Sequence, residues 1–334
     1  MKTKNKTSIL FRTLIFLFAS TISFAQPMRV LFIGNSYTHY NNMPNLFEQI
    51  AKSKGIKIEV YADAKSNHTF KMHAQRLELY NSIRSKKWDY VILQGFSREL
   101  AQDNNIIDSA SLPYAKQILD SIYKRNPCTS VLLYQTWGYE DGFILDSTGN
   151  KWDYQTMSDR IHKGYIYLGK KLSLGIVPVG KTWEIIKENH PEIKLYQNDK
   201  QHPSIAGSYL AACCFYTAIF KTFPKVKFTS TLDTSAARII QEVAGCNVLM
   251  NRNRYNINDN SVDVEVNITS SGKQEITCTA NFKTAKSCTW DLGDGTVKQG
   301  FKFQHTYAKR KAYEITVTVI DACGERIIKR KVLP

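Results

Sequence analysis

The feature that most constrains the fold is a rhythm. RVLFIG at 29–34, IKIEVYAD at 56–63, DYVILQG at 89–95, SVLLYQTW at 130–137 and GIVPVG at 175–180 are short apolar runs. Between them lie longer stretches with helical spacing, such as NLFEQIAKS at 45–53, an amphipathic segment at 70–85, AKQILDSIYKR at 115–125 and a long one at 154–172. Further helices are expected at 183–188 and 204–220, and Pro44 is suited to open the first. A strand apolar on both pleat faces must be buried on both, and helical connections are long enough for parallel crossovers. The pattern therefore predicts a three-layer α/β sandwich of flavodoxin-like type, with a parallel sheet of about five strands. Ligands in such sheets bind outside the carboxyl ends of the strands, so the residue just after each run carries most information.

Two other regions read differently. At the N-terminus Lys2, Lys4, Lys6 and Arg12 accompany an apolar run at 9–19, followed by Ser23-Phe24-Ala25. A basic start, a short apolar run and small residues before a cut predict a removed signal peptide at 1–25, the run being shorter than a membrane span needs. Near residue 251 the composition changes. NRNRYNINDNS is polar and reads as a linker at 251–260. After it, VDVEVNI, EITCTANF, YEITVTVID and RIIKRKV alternate with period two, which predicts a small antiparallel, Ig-like β-sandwich over 261–334. The α/β domain then covers 26–250.

The net charge of +16 falls to +12 without the four leader positives, and the positives are scattered. That fits a lysine-rich surface or contact with acidic glycans, and nothing resembles a nucleic-acid module. No second apolar stretch is long enough to span a membrane. Seven cysteines without a C-x-x-C spacing argue against zinc and against a disulfide framework, leaving room for one bridge among Cys278, Cys288 and Cys323. His39, His68 and His73 lie near the predicted ligand edge but lack metal-ligand spacing, so no metal or other cofactor is expected.

Chemistry concentrates at that edge. Ser36 follows the first strand in GNSYTHY, and Gln94 ends the third. Much later, in YQNDKQHPS, Asp199 and His202 stand three apart before a helix. A serine nucleophile needs a base, and the base needs an orienting carboxylate. Taken singly, Ser36 could be a helix cap, Asp199 another cap and His202 a loop residue. Together they can form one Ser–His–Asp chain across the top of the sheet. Trp137 and Tyr139 follow the fourth strand at the same edge, where they could wall a sugar pocket or pack in the core.

GNSYT after the first strand and the D-x-x-H-P of NDKQHPS resemble the SGNH (GDSL-like) hydrolase superfamily over roughly 28–220. The resemblance implies that Ser36 attacks an ester carbonyl, His202 is the base and Asp199 orients it. It also implies an oxyanion hole made of the Ser36 N–H, a main-chain N–H of the second block and a side-chain amide of the third. This chain departs from the pattern. Asn35 stands where the family has an acid, the second block DAKSNHTFKMH has no glycine, and the third has Gln94 for asparagine. Asn67, tolerant of left-handed backbone, is the expected second-block donor, and Gln94 the third. Asn35, Trp137 and Tyr139 are expected to contact substrate. WDLGDG at 290–295, with FQHTY and AYEITVTVID, resembles the PKD domain, expected to be a spacer that contacts glycan or another protein.

These readings imply an exported serine esterase, periplasmic or extracellular, that removes acyl groups, most simply O-acetyl, from a carbohydrate. Two alternatives share the scaffold. One is acyl transfer by the same triad. The other is a non-catalytic glycan-binding or adhesion protein.

Overall fold

A computed structural model of the protein describes residues 26–257, 265–270, 274–281, 285–321 and 324–334. The expected signal peptide lies outside the described residues. The chain begins with β1 (Met28–Gly34), then α1 (Ser36–His39), α2 (Met43–Lys52) and β2 (Ile58–Ala64). Next come α3 (Phe70–Ala74), α4 (Leu77–Ser85), β3 (Tyr90–Leu93), α5 (Asn104–Ala110), α6 (Leu112–Arg125) and β4 (Ser130–Tyr134). A short hairpin, β5 (Phe143–Ile144) and β6 (Lys151–Trp152), leads to α7 (Tyr154–Leu172) and β7 (Gly175–Val177). Then follow α8 (Val179–Asn189), α9 (Ile205–Phe220) and α10 (Thr234–Met250).

Five strands form one parallel sheet in the order β2-β1-β3-β4-β7. The chain leaves β1 to one side for β2, then crosses back over β1 to reach β3. Because parallel crossovers are right-handed, this reversal puts connections on opposite faces of the sheet. Helices α2, α8, α9 and α10 pack on one another, as do α3, α4, α5 and α6. Val30 to Ile33 are buried throughout, as a run apolar on both faces requires. The register aligns the strand ends: Gly34 pairs with Ala64, Ile33 with Leu93, and Leu93 with Leu133. The switch point of the sheet therefore lies between β1 and β3, with Ser36 and Gln94 leaving it side by side.

Several details differ from the sequence reading. The amphipathic segment at 70–85 is two helices, broken after Ala74. Helix α10 was not expected, although Asp233 caps it by accepting from Ser235 and Ala236 N–H. Residues 251–257, expected as linker, dock on the first core: Tyr255 and Ile257 are buried, and Ile176 N–H donates to the Tyr255 carbonyl at 2.8 Å. Cys128 is disulfide-bonded, whereas Cys278 and Cys288 are free. Sequence spacing does not report which thiols meet in space.

The C-terminal residues form antiparallel sheets. Strands β8 (Glu265–Ser270), β9 (Glu275–Asn281), β10 (Ala285–Asp291), β11 (Val297–Gln299), β12 (Lys302–Thr306), β13 (Tyr313–Asp321) and β14 (Gly324–Val332) pair in the orders β11-β10-β13-β14 and β12-β9-β8. Ile276, Cys278, Trp290, Tyr307, Ile315 and Val317 share the core between them. Gly293 and Gly295 take positive φ in the turn after β10, which needs residues without a Cβ.

Candidate active site

The serine is presented by a turn with little freedom. The Asn35 side chain caps α1 by accepting from Tyr37 N–H at 2.9 Å, so Ser36 is the first residue of that helix. Asn41 and Asn42 then take left-handed backbone, which turns the chain into α2. Gly34 is required by close approach rather than by an unusual φ. A Cβ there would lie 2.3 Å from Thr38 Oγ1 and 2.5 Å from Gln94 Oε1.

His202 reaches Ser36 from a loop that holds itself together. Its Nε2 lies 2.9 Å from Ser36 Oγ, and its Nδ1 lies 2.5 Å from Asp199 Oδ2. The other oxygen of Asp199 accepts from Gln201 N–H and His202 N–H, at 3.0 and 2.9 Å. Burial works against the charge of Asp199, but these hydrogen bonds outweigh it and hold its carboxyl below its ordinary value. An ionised carboxylate on Nδ1 fixes the proton there and leaves the Nε2 lone pair for the serine hydroxyl. The loop is anchored further by Asn41 Nδ2, which donates to the Pro203 carbonyl at 2.8 Å. Lys200 pairs with Asp141 at 2.6 Å.

The His202 ring is packed on two sides. Tyr40 stacks on it at 4.3 Å and 13°, and Tyr37 meets it edge-on at 5.7 Å. Neither tyrosine was singled out from the sequence. An aromatic four residues after the serine was the available signal. His39 stacks on Tyr40 and bonds Ser66 Oγ at 2.9 Å, and burial followed by the nearby His202 pushes its pKa down.

The expected oxyanion donors separate. Asn67 is left-handed, with φ of 59°, in the loop after β2, as its side chain allows. The main-chain N–H groups of Ser36 and Asn67 find no acceptor among the described residues. Gln94 is oriented differently from expectation. It is buried, its Oε1 accepts from Asn35 N–H at 2.9 Å and Thr38 Oγ1 at 2.8 Å, and its Nε2 donates to the Gly95 carbonyl. The longer stem lets the amide fold back on its own loop, so Gln94 grips the serine turn instead of offering its amide to a ligand.

The three expected substrate contacts are also occupied. Asn35 is 1% exposed and spends its side chain on the cap. Trp137 is 1% exposed, sandwiched between Tyr37 at 4.5 Å and Trp183 at 3.9 Å. Its indole N–H donates to the Gln201 carbonyl at 3.1 Å, so it supports the histidine loop from beneath. Tyr139 is buried, with its hydroxyl 2.8 Å from Ser97 Oγ. A strand end that faces ligand can equally face the next layer of core, and stacking these flat rings buries more apolar area than an open pocket would. No group of three or more His, Cys, Asp or Glu that could hold a metal occurs among the described residues.

Comparison with known proteins bears on the fold. Residues 263–328 match the PKD domain family. No curated protein matches the chain in sequence. A DUF4886 family protein from Bacteroides uniformis has a similar structure: TM-score 0.56, 18% identity, over 67% of this chain and 95% of that one. A candidate SGNH hydrolase from Slackia heliotrinireducens gives 0.47 and 23%, over 57% and 98%. An acetyl xylan esterase gives 0.44 and 18%, over 57% and 100%. At these identities the likeness is one of fold. The parallel-sheet region shares its α/β fold with the DUF4886 family protein, and an antiparallel β-sandwich that matches the PKD domain family follows it.

Proposed function

We propose that the protein is a serine esterase that removes acyl groups, most simply O-acetyl, from a carbohydrate outside the cytoplasm. The observation that carries this is the continuous chain from Asp199 through His202 to Ser36, with spacings of 2.5 and 2.9 Å. Ser36 Oγ attacks the acyl carbon while His202 Nε2 takes its proton. Asp199 keeps the imidazole in the required tautomer and balances its charge. Charge on the carbonyl oxygen is met by the Ser36 and Asn67 N–H groups. His202 returns the proton to the leaving sugar oxygen, and water then cleaves the acyl-enzyme by the reverse use of the same groups. Export and a glycan substrate draw support from the PKD match, the Cys128 disulfide and the leader-like N-terminus.

One observation favours a second reading, a glycan-binding protein without activity. The Gln94 amide is turned onto Gly95, which leaves two main-chain donors for an oxyanion. Hydrolysis of a chromogenic acetate ester and of acetylated xylan decides between them. The esterase reading expects acetate release by the wild type and its loss in Ser36→Ala. Equal inertness of both on all substrates sinks it, and equal activity removes Ser36 as nucleophile.

A further inference from the structure

The three loops that carry Ser36, Asn67 and Gln94 are tied to one another by side chains that the proposed reaction does not use. The peptide between Gly34 and Asn35 is held from both ends. Its carbonyl accepts from Lys65 N–H at 2.9 Å and lies 2.9 Å from His73 Nε2. Its N–H donates to Gln94 Oε1 at 2.9 Å. The remaining pair of loops is joined by Glu99, whose carboxylate accepts from Phe70 N–H at 3.1 Å and from Phe96 N–H at 2.9 Å. Each pair among the loops after β1, β2 and β3 thus shares a polar tie.

His73 is the member with the most construction behind it. It is fully buried, on α3. Arg76 Nη1 lies 3.2 Å from its Nδ1 and 2.7 Å from Asp63 Oδ1, while Ser82 Oγ donates to Asp63 Oδ2 at 2.7 Å. A guanidinium can only donate and a carbonyl can only accept, so Nδ1 is the acceptor and Nε2 carries the hydrogen toward Gly34. Burial, then the charges of His68 and Arg76, lowers its pKa to about 4, which keeps the ring neutral as this arrangement requires. The histidine is locked from Asp63, at the end of β2, to the peptide that precedes the nucleophile.

We infer that His73 is a positioning residue: through Gly34 it holds the Ser36 turn in register with the Asn67 loop, as one part of an interlock completed by Gln94 and Glu99. The missing second-block glycine is consistent with this, since the loop gains its order from the buried histidine. The inference rests on the proposed reaction for its kinetic consequence but not for its structural one. The experiment therefore has two readouts on the full chain. The first is hydrogen–deuterium exchange of peptides covering 34–42 and 64–72. His73→Leu keeps an apolar side chain but no donor, and is expected to speed exchange in both segments about tenfold while α9 is unchanged. His73→Gln keeps one donor and one acceptor and is expected to restore most protection. The second readout is ester hydrolysis: His73→Leu lowers kcat roughly 10- to 100-fold with KM within about twofold, and His73→Gln recovers to within about fivefold. Should His73→Leu fail to fold, His73→Asn, one methylene short of spanning both partners, replaces it with the same expectations. Exchange unchanged in both segments overturns the interlock whether or not the protein cleaves esters. A wild type as inert as Ser36→Ala fails the esterase reading alone. With an active wild type, equal kcat for it and the Leu or Asn variant overturns the positioning role.

Discussion

Replacing Gly34 by alanine tests how tightly the serine turn is built. The new Cβ would sit 2.3 Å from Thr38 Oγ1, 2.5 Å from Gln94 Oε1 and 3.0 Å from Gln94 Cβ. Both neighbours are buried, and neither can swing into solvent. Overpacking of this kind costs about 1–3 kcal/mol. Moving either side chain also breaks the Gln94 contacts to Asn35 N–H and Thr38 Oγ1, at about 1 kcal/mol each. The sum is about 3–5 kcal/mol, or a fall in Tm of roughly 6–20 °C for the α/β domain, at ~2–4 °C per kcal/mol. Differential scanning calorimetry reads this directly. Adding Thr38→Ala removes the nearest clash and should recover roughly half of the loss, a coupling that a double-mutant cycle isolates. A Tm within about 1 °C of wild type for Gly34→Ala would refute the reasoning, because the turn would then have room that the packing denies.

Asp199→Asn should leave the fold intact and lower kcat about 10³-fold, since an amide no longer enforces the Nδ1–H tautomer; steady-state hydrolysis of an acetate ester measures it, and a fall under tenfold would contradict the role. Tyr40→Leu removes the ring stacked on His202 and should lower kcat roughly two- to fivefold, with Tyr40→Phe close to wild type. Burial pushes the Glu99 carboxyl from its ordinary 4.5 up to about 7. The folded chain therefore binds that proton more tightly than the unfolded chain. This contribution to stability is complete below the unfolded value and is lost as pH rises through about 7. Urea unfolding across that window should show the wild-type advantage over Glu99→Gln shrinking by at most ~1.4 kcal/mol per pH unit, and a pH-independent difference would count against it.

The sheet was legible because its strands are apolar on both faces, a demand that few other architectures make. The Asp199–His202 loop was legible because both groups lie within one turn of chain and precede a proline that stops a helix from absorbing them. What escaped the sequence is orientation. Gln94 carries the expected amide at the expected strand end, yet one extra methylene lets it bend back to Gly95. Trp137 and Tyr139 emerge at the ligand edge, but the direction of a ring is set by its neighbours in space, here Tyr37, Trp183 and Ser97. The sequence placed His73 near the ligand edge but not its role, because its partners Gly34 and Asp63 lie on other elements of the fold.

The serine and its base stand 166 residues apart, one just after β1 and the other just before α9. Synthesis runs from the N-terminus, so every growing chain carries Ser36 long before it carries His202. For most of its making the hydroxyl is an ordinary, unreactive alcohol. Only when the loop before α9 has been made and has docked beside Asn41 does the group gain a proton acceptor. In the proposed reaction, therefore, Ser36 can become a nucleophile only once the architecture around it is nearly complete.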